Sequence, residues 1–161
     1  MDGIVIRPMI EHAGAVPRIA AWFFEEWRLI YGDETQASVQ RRIESWLTQR
    51  QIPTALVALS ENQVVGTVAL KERELPQFPE SPWLAGLYVV PEFRRHGIGA
   101  LLVRAAEREA ASLGVERLHL YTPGSQQFYA RLGWSVLGHR PLPGGMVAVM
   151  CKQVGVRNVR H

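Results

Sequence analysis

The sequence predicts a single α/β domain, with a central mixed, mostly antiparallel sheet of about seven strands flanked by about four helices. Three observations carry this reading. Strand-like and helix-like periodicities alternate along all 161 residues, with no linker, repeat or low-complexity tract between them. Two apolar runs, 54–59 and 64–70, flank the polar Glu61-Asn62-Gln63 and read as a hairpin. An apolar strand at 83–90 runs straight into a glycine turn, and a helix starts on it. A chain of this length builds one full-sized core rather than two, so 1–161 reads as one domain.

Residues 4–9 alternate as a short opening strand. Across 17–31 the apolar positions Ile19, Ala20, Phe23, Trp27 and Ile30 recur at helical spacing. Gly32-Asp33 interrupts that pattern, and Thr35 is placed to cap a second helix running to about Gln49, with Val39, Ile43, Trp46 and Leu47 on one face. After the hairpin, Pro76, Pro79 and Pro82 fall within eight residues and predict a loop. From Ile98 onward, Leu101, Leu102, Ala105 and Ala106 follow the amphipathic rule until Gly114 stops the helix. Residues 117–121 alternate as a strand. Ser125 is placed to cap a short helix that Gly133 ends. Segments 135–138 and 146–152 close the sheet around a turn at Pro143-Gly144-Gly145.

Composition excludes several classes. Apolar residues make up 47% and charged residues 20%, which is ordinary for a globular protein. The net charge of +3 is small and the signs are interspersed, so nucleic acid is not an expected partner. Cys151 is the only cysteine, which rules out an internal disulfide; no Cys/His spacing suits a zinc site, and no metal is expected. No secretory signal pattern is present, and no apolar run approaches the roughly 18 residues of a membrane span. The expected location is cytoplasmic, without a membrane partner, as a monomer or homodimer.

The most informative stretch is Leu87-Tyr88-Val89-Val90-Pro91-Glu92-Phe93-Arg94-Arg95-His96-Gly97-Ile98-Gly99-Ala100. Two glycines at the first turn of a helix let backbone approach a ligand closely. They leave unsatisfied N–H groups at the positive end of the helix dipole. That arrangement, with Arg94 or Arg95 as countercharge, suits a phosphate or diphosphate. The Gly-Lys-Ser/Thr ending of a P-loop is missing, and Leu102 stands where a dinucleotide fingerprint has its third glycine. A diphosphate held mostly by backbone remains, and coenzyme A fits that description.

Arg94-x-x-Gly97-x-Gly99 resembles the acyl-CoA loop of the GNAT superfamily of N-acetyltransferases. Phe128-Tyr129-Ala130-Arg131-Leu132-Gly133-Trp134 resembles the other signature that superfamily shares, one helix and one strand further on. Together the matches span about 83–138. The resemblance implies acetyl-CoA as cosubstrate and direct transfer of the acetyl group to a primary amine of a small molecule. It implies that the strands on either side of the glycine-turn helix diverge. The backbone of Leu87, Tyr88 and Val89 would hold the pantetheine arm in that gap, and Arg94, Arg95, His96, Gly97, Ile98, Gly99 and Ala100 would hold the diphosphate. Ser125 and Phe128 fall beside the cofactor, and Tyr129 becomes the general acid toward the departing sulfur. The sequence departs from the family at Thr122-Pro123, where many relatives carry an asparagine that contacts the pantetheine arm.

An acceptor amine must lose a proton before it attacks. Glu72, acting through water, is the expected base because the end of its strand should face the cleft; Glu74 and His119 are the other candidates. In the fold that the resemblance implies, the aromatic first helix would border the acceptor side, and Trp22, Phe24 and Glu26 lie off its buried stripe, so they are the expected substrate contacts. Two alternatives stay open at this level: a protein or peptide acceptor, and a noncatalytic acyl-CoA-binding regulatory module.

Overall fold

A computed structural model describes residues 3–155, apart from the side chain of Tyr31; the two ends of the predicted domain, 1–2 and 156–161, lie outside these residues. The strands are β1 (Val5–Pro8), β2 (Thr54–Ser60), β3 (Gln63–Lys71), β4 (Trp83–Val89), β5 (Arg117–Thr122), β6 (Ser135–Leu142) and β7 (Gly145–Gln153). The helices are α1 (Val16–Glu26), α2 (Arg28–Tyr31), α3 (Gln36–Glu44), α4 (Ile98–Ser112) and α5 (Gln126–Arg131). The strands form one sheet in the order β1-β2-β3-β4-β5-β7-β6, antiparallel throughout except between β4 and β5.

The predicted first helix is split. Trp27 leaves helical geometry (φ −116°, ψ 28°), and at that bend its ring packs edge-on against Phe23 at 4.8 Å and Tyr88 at 6.2 Å. Thr35 caps α3 as expected, in a reciprocal box: Ser38 N–H donates to Thr35 Oγ1 at 3.1 Å, and Thr35 N–H donates to Ser38 Oγ at 3.0 Å. That helix ends at Glu44 rather than near Gln49, yet Trp46 and Leu47 still pack on the core. The hairpin turn is two residues, Glu61 and Asn62, both at positive φ (50° and 66°), the geometry whose twist matches antiparallel strands.

The core is built on both sides of two glycines. Leu102 of α4 packs over Gly66, where a Cβ would lie 2.9 Å from its Cδ1. Phe23 of α1 and Trp46 meet Gly86 of β4, with ring atoms 3.4 and 3.6 Å from a Cβ there. Ile19, Phe23, Ile43, Leu102 and Leu118 are fully buried, each stabilising the fold by about 1.5–3 kcal/mol. A smaller cluster of Phe78, Trp83, Val147 and Val149 sits beneath the proline-rich loop 72–82.

β4 carries an irregularity that shapes everything near it. Its register against β3 shifts between Thr67/Tyr88 and Ala69/Ala85, so that Gly86 and Leu87 together oppose Val68 alone. Gly86 has φ +60°, and Thr67 Oγ1 donates to its carbonyl at 2.8 Å. This bulge bends the strand. Among the described residues β4 pairs with β5 only at Trp83↔His119, supported by His119 N–H donating to Pro82 O at 3.1 Å. Beyond that point the two strands part.

Candidate active site

The parted strands open a cleft of about 570 Å³. Residues 84–87 of β4 form one side and 120–123 the other, with Ser125 and Tyr129 at its edge. The β4 edge facing the gap has no β5 partner past Trp83, so its backbone N–H and C=O groups can pair with an extended ligand as a neighbouring strand would.

At the end of β4 the chain turns sharply onto α4. Arg95 and Gly97 take left-handed conformations (φ 67° and 81°), and Gly97 caps the helix without any side-chain hydrogen bond. Ile98, Gly99 and Ala100 therefore present first-turn N–H groups. The buried Ile98 side chain anchors this turn. A Cβ on Gly99 would lie 3.4 Å from the Phe128 ring, so α4 and α5 touch at this point. Arg95 and His96 are exposed beside the turn. Arg94 lies elsewhere than expected: its Nε donates to Val89 O at 2.7 Å, its guanidinium sits 5.3 Å over the Tyr88 ring, and it reaches 4.0 Å from Glu26. The neighbouring strand carbonyl and the Tyr88 face satisfy it, rather than open space at the helix start.

Tyr129 brings the two predicted motifs together. Its ring is wedged between Phe128 (5.0 Å, 76°) and Trp134 (6.2 Å, 68°). Trp134 Nε1 donates to Glu107 Oε2 at 3.1 Å, and Lys152 Nζ donates to Glu107 Oε1 and Leu132 O at 2.7 and 2.6 Å, tying α4, α5 and β7 together. Burial pushes the Tyr129 phenol up to about 12. Its hydroxyl has no protein partner among the described residues and borders the cleft. Ser125 does not cap α5 with its side chain; instead its own N–H donates to Thr122 Oγ1 at 2.9 Å. Thr122 thus binds the helix start at the place where the family asparagine is replaced.

The acceptor side differs from expectation in several places. Glu72 does not line the cleft. Adjacent residues at a strand end point to opposite faces, so Lys71 turns inward and Glu72 outward, where its carbonyl accepts from Ser81 Oγ at 2.6 Å. Glu74 does line the cleft, and its carboxylate pairs with Lys71 at 2.9 Å, both largely buried. Of Trp22, Phe24 and Glu26, only Glu26 borders the cleft. Trp22 is instead stacked on Tyr88 at 5.4 Å, and Phe24 lies under Arg28. Phe23 and Trp27, whose helical spacing reads as core, line the cleft as well as the interior. Glu34, paired with Arg42, is a wall residue that no local pattern announces. His119 is buried against Trp83 with Nδ1 3.1 Å from Pro82 O, outside the cleft. Among the described residues no cluster of three or more His, Cys, Asp or Glu side chains suits a metal, and no helix is long and apolar enough to cross a membrane.

A sequence model of the acetyltransferase (GNAT) family matches residues 16–134. No curated protein sequence matches the chain. Among solved structures, the fold is similar to an aminoglycoside 6'-N-acetyltransferase complexed with coenzyme A (TM-score 0.75, 20% identity, covering 95% of this chain and 98% of that one). It is similar to YncA of Salmonella typhimurium with its cofactor acetyl-CoA (0.74, 18%, 99% of each). The aminoglycoside 6'-N-acetyltransferase from Enterococcus faecium is a third (0.71, 20%, 95% and 98%).

Proposed function

The chain belongs to the acetyltransferase (GNAT) family, and on that premise we propose that it transfers an acetyl group directly from acetyl-CoA to a primary amine of a small molecule. The observation that carries this reading is the gap between β4 and β5 with a protonated, unpartnered tyrosine in its wall; the glycine-capped start of α4 lies outside the cleft lining and meets the Tyr129 helix through Gly99 and Phe128. The glycine turn fits a diphosphate because Gly97 opens α4 at φ 81° with no side-chain cap, which leaves the first-turn N–H groups unsatisfied. The free β4 edge at 84–87 fits an extended amide-bearing arm.

The chemistry assigned to the chain's own residues is acid–base. Glu74, directly or through water, takes the proton that the acceptor amine must lose. Tyr129 donates a proton or a strong hydrogen bond to the sulfur as the new amide bond forms and the thioester carbon–sulfur bond breaks. Burial keeps that proton on the phenol at neutral pH. Trp27 offers an aromatic face, and Glu26 and Glu34 offer carboxylates, to a cationic acceptor. A thiol-release screen with acetyl-CoA against polyamines, amino acids, aminoglycosides and short peptides tests this. Release with small amines supports the reading, whereas release with peptides alone transfers the activity to a protein acceptor.

A further inference from the structure

Loop 72–82 carries Glu74, Leu75 and Pro76 into the cleft wall, yet contains neither helix nor strand. Its shape is held from the sheet's edge strand. Arg140 of β6, sixty residues away, donates from Nη1 and Nη2 to the two carboxylate oxygens of Glu80 at 2.7 and 2.5 Å. The same guanidinium lies 5.1 Å over the Phe78 ring. Phe78 is buried, stacks on Trp83 at 5.9 Å and meets Tyr121 edge-on at 5.7 Å. Phe78 N–H donates to Leu75 O at 3.0 Å, and Trp83 Nε1 donates to Glu80 O at 2.6 Å. A continuous set of contacts therefore runs from Arg140, outside the cleft, to Leu75 in its wall.

We propose that Arg140 is a positioning residue for the acceptor: by clamping Glu80 it fixes loop 72–82 and so the wall that the amine meets. This rests on the reading of the cleft as the acceptor site. Arg140 is absent from the cleft lining and touches neither the glycine turn nor Tyr129. A two-pronged guanidinium–carboxylate contact fixes orientation as well as proximity, which a lysine cannot reproduce. The Arg140 and Glu80 side chains keep only 30% and 20% of their surface exposed, so neighbouring atoms hold the pair in one geometry.

The test compares wild type with Arg140→Met, Arg140→Lys and the exchanged pair Glu80→Arg/Arg140→Glu, measuring KM for the best amine, kcat, acetyl-CoA affinity by calorimetry and Tm. Arg140→Met is expected to raise the acceptor KM about tenfold or more, with acetyl-CoA affinity within about twofold of wild type. Arg140→Lys recovers part of that loss and the exchanged pair more of it. If Arg140→Met does not fold, Glu80→Gln carries the same expectation. An active wild type whose acceptor KM is unmoved in these variants, even if Tm falls, overturns the clamp alone. A wild type that releases thiol with no amine overturns the reading of the cleft, and the clamp with it.

Discussion

Tyr129 keeps its hydroxyl without a protein partner while Phe128 and Trp134 hold its ring on both sides. Replacing it with phenylalanine leaves the packing and removes the proton, so Tyr129→Phe should lower kcat about 10²–10⁴-fold, with little change in acetyl-CoA affinity by calorimetry. Burial opposes the phenolate and lifts this group to about 12. The acid form therefore persists across neutral and moderately alkaline pH, and kcat should show no alkaline decline from this residue up to about pH 10. The place of Tyr129 in the cleft wall is legible in sequence because its motif is contiguous. The carboxylates are not: Glu72 and Glu74 are chemically alike, and the course of the loop after β3, which no strand periodicity governs, carries Glu74 into the cleft and Glu72 away from it. Glu74→Gln should accordingly reduce kcat/KM by about 10²-fold, whereas Glu72→Gln should leave it near wild type in the same steady-state assay. Phe23 and Trp27 were placed in the core by their periodicity, which is silent about a cavity opening beside them.

Among the elements, those governed by local chemistry were legible and those governed by distant contacts were not. The cap at Thr35 depends on Ser38, three residues away, and was readable. Thr35→Ala should destabilise the protein by about 1 kcal/mol in urea unfolding while leaving kcat unchanged, since α3 touches the cleft only through Arg42. Ser125 has the side chain of a cap, yet Thr122 takes that role, since the end of β5 brings its hydroxyl to the Ser125 N–H. The break at Trp27 and the bulge at Gly86 had no such signal. Both answer to contacts that form only after folding, Trp27 with Tyr88 and Gly86 with Phe23. Gly86→Ala forces a side chain into φ +60° beside Phe23, and should cost about 1–3 kcal/mol of stability. Because the bulge bends β4 from β5, the same variant should bind acetyl-CoA more weakly in calorimetry.

Across the whole molecule, the parting of β4 and β5 organises the site; α5 and loop 72–82 reach its wall, and the glycine turn joins α5 through Gly99 and Phe128. The pairing of Glu80 with Arg140 spans sixty residues, which no sequence periodicity reports. Its hydrogen bonds from Arg140 draw the Glu80 carboxyl down to about 2, from an ordinary value of 4.5. A group depressed in this way contributes stability above its unfolded value, and that contribution fades as pH falls from about 4.5 toward 2. Wild type should thus lose Tm more steeply than Glu80→Gln across this range, the two curves converging at the acid end in calorimetric scans. Thiol release from acetyl-CoA, measured with a panel of small primary amines, reads the chemistry at the cleft. Saturable, amine-dependent release is expected, with one acetylated amine formed per thiol, reduced at least about 10²-fold in Tyr129→Phe. Tight binding of acetyl-CoA with no thiol released by any amine would contradict that chemistry.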